Sequence, residues 1–512
     1  MEWIVRRTDN GGLLIELEKR MRKVTGVIVL CLAGLWCLTL PAWGGGMEIS
    51  GVGAKAKAMG GAFRAIADDW SAAYYNPAGL FYTTEDQLTF NEVITHYRFT
   101  YTPNVTYGGY NVGYFDGKIY NRYKILTNPT LGGYARFPFA GTTIVAGLAV
   151  FQPFDRNISW QVFHPLNNGA ALPGQEIEHN FDALAINLVS AVELMENRLS
   201  LGISAGVLKN DLVYGGFFLR SNPADPNALY YDQLASRPNE LITEWQRSEG
   251  SGFSPNLRAG LMLKATPKLS LGLTYAMQTK TTVDGESYFY YYMPDIPYYH
   301  SRTEVASYPD SINYILSSGA VYEAVSKFKV DVTLPSQIGA GVAYQVNDKL
   351  LIAGDLQYTL WSQFKGYHFD YDFTDTSITR NAVLNQWMVQ DMNLPAKCSN
   401  AIKGSLGAQY RYSDMFIFRA GYSADQTPFD EGTLHPAFFD PGLKHSFNFG
   451  LGLVFENIIL DFTTEYTAYS ESTEAGNTDI SANGGADGIV DNMSGTYGGS
   501  ALESIVQFTV RF

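Results

Sequence analysis

Apolar and polar positions alternate with period two along most of the chain. Leu269, Leu271, Leu273, Tyr275 and Met277 are interleaved with Ser270, Gly272, Thr274, Ala276 and Gln278. Ile338, Ala340, Val342, Tyr344 and Val346 alternate with Gln337, Gly339, Gly341, Ala343 and Gln345. Ile458, Leu460, Phe462, Thr464, Tyr466 and Ala468 stand against Asp461, Thr463, Glu465 and Thr467. Successive side chains of a strand point to opposite faces, so each segment has one greasy face and one small or polar face. Short turns such as 195–198, 265–268, 347–349, 412–414 and 456–457 join these segments in pairs. Long connections, roughly 153–180, 210–254, 281–334, 364–402, 424–444 and 471–500, separate the pairs. The spacing predicts strands near 87–101, 131–138, 142–152, 181–195, 198–209, 255–265, 268–280, 335–347, 350–363, 403–413, 415–424, 444–456, 458–470 and 501–512.

An even number of strands, with tight turns at one end and long loops at the other, is the pattern of an outer-membrane barrel. The fold predicted is all-β: a transmembrane up-and-down antiparallel barrel of 14 strands over 87–512. A soluble sandwich of so many strands would leave two large sheets with exposed edges. The last strand alternates Val506, Phe508, Val510 and Phe512 with Gln507, Thr509 and Arg511. An aromatic terminal residue of this kind suits recognition by barrel-assembly machinery, here through Phe512.

Composition sharpens the class. Apolar residues make up 46% of the 512. Only 17% are charged, where a soluble protein carries about a quarter. A mean hydropathy of -0.09 excludes a bundle of membrane-spanning helices. The formal charge of -14 speaks against a nucleic-acid partner. Residues 24–40 form an apolar run preceded by Met21-Arg22-Lys23 and followed by Pro41-Ala42-Trp43-Gly44. This reads as a cleaved signal peptide over 21–44, behind an upstream extension at 1–20. Its removal takes away Cys31 and Cys37 and leaves Cys398 alone, so no intramolecular disulfide is expected.

Residues 45–86 are rich in Gly and Ala and do not alternate. A 14-strand barrel has a lumen too wide for its own side chains to fill. A compact segment of small residues can occupy it, bending at Gly60-Gly61 and turning at Asn76-Pro77. The stretch GVGAKAKAMGGAFRAIADDWSAAYYNPAGL at 51–80 resembles the amino-terminal hatch of the long-chain fatty acid and hydrocarbon transport channels (FadL, TodX and OMPP1 type). Stretches 334–364, with Trp361-Ser362, and 418–455 are similar to paired strands of that family. The resemblance implies a 14-strand barrel with an internal hatch, and hatch or gating roles for Gly60, Gly61, Asp68, Asp69, Asn76, Pro77 and Ala78. It implies passive uptake of hydrophobic compounds, fatty acids or aromatic hydrocarbons, across a membrane whose outer leaflet is lipopolysaccharide. In the family, ligand leaves sideways through a gap in the wall. Pro138 and Pro153, flanking the third strand, are candidates to interrupt its ladder here.

Apolar clusters in the long connections suit capture of such a ligand. Phe217, Phe218 and Arg220 lie in one; a second runs from Tyr288 to Met293. Ile315, Leu316 and Lys327 belong to a stretch, 311–328, with near-helical apolar spacing, and Trp387 to a short amphipathic segment around 383–388. No enzyme chemistry is expected. The seven histidines lack ligand spacing, and the calcium-like run at 479–490 has Val490 where the twelfth-position Glu belongs. No GxSxG elbow or dinucleotide fingerprint is present. No metal or cofactor is expected. The alternatives weighed are a polar diffusion channel and an outer-membrane lipase.

Overall fold

The computed structural model describes residues 47–512 apart from 105–116, 123, 140–141, 163–176, 221–241, 296–314, 316–317, 373–390, 431 and 476–492. The expected signal peptide and upstream extension, with Leu316 and Trp387, lie outside the described residues. Nineteen strands form one antiparallel sheet among the described residues. In chain order these are β1 Gln87–Pro103, β2 Ile119–Tyr120, β3 Ile125–Phe139, β4 Thr142–Trp160, β5 Ile177–Met195, β6 Leu199–Arg220 and β7 Ile242–Thr266. Next come β8 Leu269–Ala276, β9 Thr279–Tyr292, β10 Val321–Leu334, β11 Gln337–Gln345, β12 Leu350–Thr359 and β13 Gly366–Tyr371. The last are β14 Met392–Pro395, β15 Ala401–Arg411, β16 Phe416–Asp425, β17 Lys444–Phe455, β18 Ile458–Glu474 and β19 Gly495–Arg511.

Several of these are pieces of one wall strand. β8 and β9 both pair with β7; β11 pairs with β8, and β10 with β9. β13 continues β12 upward against β10, and β14 runs beside β13 as β15 runs beside β12. With β2 set aside as a short addition to β1, the wall has the fourteen strands expected. It closes where β1 pairs with β19 from Gln87↔Arg511 to Pro103↔Gly495. Closure pairs the first strand with the last, which is what a backbone surrounded by lipid requires.

Polarity near the tight turns is the reverse of a soluble protein's. Leu88, Phe90 and Ile94 of β1 are exposed outward, while Thr89, Asn91 and Thr95 between them are buried in the bore. Leu271, Leu273 and Tyr275 point out, as do Ile338, Val342 and Tyr344. Lipid is the solvent for the outer face, so these side chains are matched to it.

The long connections contain more strand than the alternation predicts. β6 runs to Arg220 and pairs with β7 as far as Ile242. Phe217, Phe218 and Arg220 therefore sit on a strand rather than in a loop. The helix expected at 311–328 gives way from Val321 onward to β10. Lys327 lies on the outer face of that strand, its neighbour Phe328 on the buried inner one. Helical spacing was misleading there because a strand buried on its inner face also places apolar residues at intervals of two and four. Ile315 packs partly buried against the core.

Candidate functional site

The site consists of a stopper in the lower bore, an apolar cluster above it, and a window in the wall between them. The stopper is the segment from Met47 to Tyr82, built of a helical turn at Ala54–Ala58, another at Ala72–Tyr75 and a 3-10 turn at Pro77–Tyr82. Gly60 and Gly61 take φ of 66° and 80°, a left-handed pair that reverses the chain where a side chain would be strained. Asn76 is fully buried. Its Nδ2 donates to the carbonyls of Arg64, at 2.7 Å, and Leu261, at 3.1 Å, and its Oδ1 accepts from Ala78 N at 3.2 Å. Pro77 follows at the first position of the turn, where its missing N–H costs nothing. One asparagine thus ties the hatch to itself and to β7.

Wall glycines let the hatch backbone press against the barrel. A Cβ at Gly421 would stand 2.0 Å from Gly60 N, one at Gly202 2.1 Å from Ala78 N, and one at Gly272 2.2 Å from Arg64 O. Charges lock the same surface. Arg64 Nη1 lies 3.1 Å from Asp355 Oδ2, which also accepts the backbone N–H groups of Phe63 and Arg64. Its other nitrogens donate to Thr274 and Gln357. Lys57 is buried against Glu465, Glu503 and Ser50. Burial works to lower its pKa, but the two carboxylates outweigh that and hold it above the ordinary lysine value.

Asp68 pairs with Lys55 at 2.6 Å. Asp69 accepts from Ser71 N and Ser71 Oγ through Oδ1, leaving Oδ2 buried without a hydrogen-bond partner among the described residues. Burial pushes its pKa up to about 6, against the pull of Lys55. Both aspartates line a cavity of about 340 Å3 beside the turns at the lower mouth, with Arg411, Arg419 and Arg511 across from them. All seven hatch residues singled out from the sequence are thus in the stopper. Lys57 and Arg64, which carry its strongest ties, were missed. Their signal is a cation in a run of small residues, with carboxylates such as Asp355 and Glu465 on the polar faces of strands.

Higher in the bore the inward side chains become apolar. Leu208, Leu212 and Tyr214 of β6, Phe289 and Tyr291 of β9, Phe328 of β10, and Tyr367, Phe369 and Tyr371 of β13 form one buried cluster. The segment between β16 and β17 folds into it with Phe429, Leu434, Phe438 and Phe439. Trp160 Nε1 anchors that segment by donating to Pro436 O at 2.9 Å. The rings of Phe438 and Phe439 lie tilted at 5.5 Å from Tyr367 and 4.1 Å from Phe99.

One cation stands within this apolar region. Arg156 of β4 is 2% exposed, and its three guanidinium nitrogens have no hydrogen-bond partner among the described residues. Its electrostatic neighbours are Asp440, Tyr469, Tyr97 and Tyr367. Asp440 is itself held by Lys444 at 3.2 Å. Nothing in the amino-acid pattern separates Arg156 from other arginines, because its strand reads as the start of a long connection.

The window lies between β3 and β4. Their ladder covers Leu131–Phe139 against Thr142–Val150. Beyond it, Ile125–Thr130 of β3 stays paired with β1, while β4 continues beside β5 across a bulge between Phe151 and Phe154. Pro153 sits in that bulge, as suspected. Pro138 does not interrupt anything and pairs with Thr143. The freed edge of β4 is taken by the start of the hatch: Ile49 N donates to Pro153 O at 3.3 Å, and Asp155 N to Met47 O at 2.9 Å. Side chains cross the opening, Asn128 Nδ2 to Asp155 Oδ2 at 2.7 Å and Lys124 Nζ to Asn157 Oδ1 at 2.8 Å. Arg122 N closes the top on Ser159 O at 2.8 Å.

A closed 14-strand barrel with lipid-matched outer residues and a stoppered bore defines an outer-membrane channel of specialised traffic rather than an open pore. A family model described as outer membrane protein transport protein (OMPP1/FadL/TodX) matches residues 36–512, and the chain belongs to that family of transport channels. Solved structures agree on the fold. A Pseudomonas aeruginosa FadL homologue is 15% identical with a TM-score of 0.67, covering 91% of this chain and 100% of its own. The Pseudomonas putida toluene transporter TodX is 15% identical at 0.64, over 91% and 99%. The Ralstonia pickettii toluene transporter TbuX is 16% identical at 0.59, over 90% and 99%. No curated protein sequence matches.

Proposed function

We propose that this channel takes up long-chain fatty acids. The observation that carries the reading is Arg156, a buried cation in an aromatic cluster without a hydrogen-bond partner among the described residues. Buried guanidinium N–H groups left without acceptors are costly, and a carboxylate headgroup would supply those acceptors in bidentate form. The aromatic lining suits the tail: about fifteen methylenes at ~0.8 kcal/mol each come to roughly 10 kcal/mol before the costs of binding. Ligand enters from the outer side, where Phe217, Phe218 and Arg220 at the upper end of β6, with Ile315, Leu316 and Trp387, remain candidates for first capture. Lys327, on the outer wall, is not among them. The charged floor formed by Lys57, Glu465 and Glu503 opposes descent of an apolar tail, and the window offers the sideways route once Met47–Ile49 leaves the edge of β4. Phe512, exposed at the chain end, serves recognition by the assembly machinery.

The runner-up is an aromatic hydrocarbon, the ligand class of the toluene transporters of similar fold; the neutral aromatic lining would suit it. The two are separated by uptake of labelled oleate and labelled toluene in cells lacking their own transporter. Arg156→Gln should lower oleate uptake by about 10- to 100-fold, the equivalent of a charged hydrogen bond of ~1.5–3 kcal/mol, and leave toluene unchanged. Uptake of toluene alone by the unaltered protein would overturn the fatty-acid reading.

A further inference from the structure

Above the lipid-facing band, the outer face of β7, β9 and β10 carries aromatic residues where water would be expected to favour charge. Along β7 the outward side chains run from Leu263, Leu261, Leu257 and Phe253, exposed to lipid, through Ser251, Glu249 and Arg247 to Trp245. The same order recurs on β9, where Lys280, Thr282, Asp284 and Glu286 are followed by Tyr288, Tyr290 and Tyr292. On β10 the outward residues pass from Asp331, Lys329 and Lys327 to Val325, Glu323 and Val321.

The register brings the upper residues together. Trp245 faces Tyr290, Arg247 faces Tyr288, and Val325 and Val321 stand opposite Tyr288 and Tyr292. The rings of Trp245 and Tyr290 are 5.4 Å apart. Val321 and Val325 are about half exposed, at 50% and 49%. The intervening Phe289 and Tyr291 point inward and are fully buried, so the outward rings are not needed to complete the inner cluster. The surface is mixed: partly exposed rings and two valines surround Glu323, which stands opposite Tyr290, a composition that suits a partner with both apolar and polar faces.

We propose that this face is a binding platform for the sugars of the lipopolysaccharide that surrounds the barrel. The lipid-facing wall is already in contact with the acyl chains of that molecule, and the same three strands carry the contact upward. From Phe253 to Trp245 is eight residues, or about 26 Å of strand at ~3.3 Å each. With the strands tilted near 40°, the platform stands on the order of 20 Å above the acyl band. The interval is the charged band, at the level of the phosphates; it mixes cations and carboxylates, with Lys209, Arg247 and Lys280 paired to Asp211, Glu249 and Asp331 and Lys327 and Lys329 beside them. Sugar rings beyond the phosphates present apolar C–H faces between hydroxyl edges. Tyr and Trp match both, with a flat face for the ring and a polar tip for the hydroxyls. An apolar partner would be met better by Leu and Ile, which this face lacks.

The test uses the whole protein in detergent, titrated with lipopolysaccharide bearing its complete core and with lipid A alone, read by native mass spectrometry. The platform predicts at least ten-fold tighter binding of the core-bearing lipid. The double variant Trp245→Ala/Tyr290→Ala should lose that preference while binding lipid A as before. Equal binding of the two lipids by the unaltered protein, a comparison that needs no variant, would overturn the proposal. So would an unchanged preference in the double variant, or a dimer of the chain that the double variant abolishes.

Discussion

The two halves of β6 carry opposite amphipathic patterns. In its lower half, Ile203 and Val207 point out and are exposed, and Ser200, Gly202 and Ser204 point in toward the hatch. In its upper half, Lys209 and Asp211 point out, and Leu208, Leu212 and Tyr214 are buried inside. The crossover falls between Val207 and Lys209. Below it the strand is solvated by lipid outside and sized for a stopper inside. Above it the strand stands in water and obeys the rule of soluble proteins, with apolar residues inward. The difference gives the molecule two contrasting parts: a polar, glycine-notched socket that holds the hatch, and an apolar cluster above it.

Removing residues 45–80 tests the lower half most severely. The barrel wall should still assemble, and in a planar bilayer a nearly silent protein should become a large ion-conducting pore. Unchanged conductance would mean that something other than the hatch blocks the bore.

The upper half should fail differently. Phe369 is fully buried, 5.4 Å from Tyr214 and 5.5 Å from Phe328. Phe369→Ala should cost about 3–5 kcal/mol, seen as earlier loss of hydrogen-exchange protection in β13 and the adjoining segment, with no rise in conductance. A leak in this variant would break the separation between cluster and socket.

The smallest effect expected is one of pH on the socket. Asp69 has a pKa of about 6 in place, against an ordinary 3.8. The seated hatch therefore holds a proton that a released hatch gives up between those values. Seating should strengthen as pH falls from 7 through 6 toward 4, by up to on the order of 2–3 kcal/mol, and weaken as pH rises. The force needed to extract the amino-terminal segment should follow that course, and Asp69→Asn should flatten it. An unaltered pH profile in the variant would remove Asp69 from the account.

The lower half was legible in the sequence for a physical reason. Lipid permits almost no polar outward residue, so alternations such as Leu269 to Met277 are clean and every wall strand could be counted. Small residues with Gly60-Gly61 and Asn76-Pro77 likewise announced a compact stopper. The upper half hid because its pattern is inverted and blurred. Tyr288, Phe289, Tyr290, Tyr291 and Tyr292 are aromatic on both faces, so no alternation shows, and a strand reads as a greasy loop. Arg156 and Arg64 were invisible as a pair of contrasts, one without a hydrogen-bond partner among the described residues and one fully hydrogen-bonded. That distinction depends on Asp355, Gln357 and Asp440, which are distant in sequence and met only in the folded barrel.

The window joins the two halves, and locking it is the most direct trial of the whole account. A protein carrying Asn128→Cys and Asp155→Cys would place a cross-link where the two side chains now meet at 2.7 Å. Uptake of labelled oleate should cease when the pair is oxidised and return on reduction. Undiminished uptake with the cross-link formed would mean that ligand does not leave the bore through the wall.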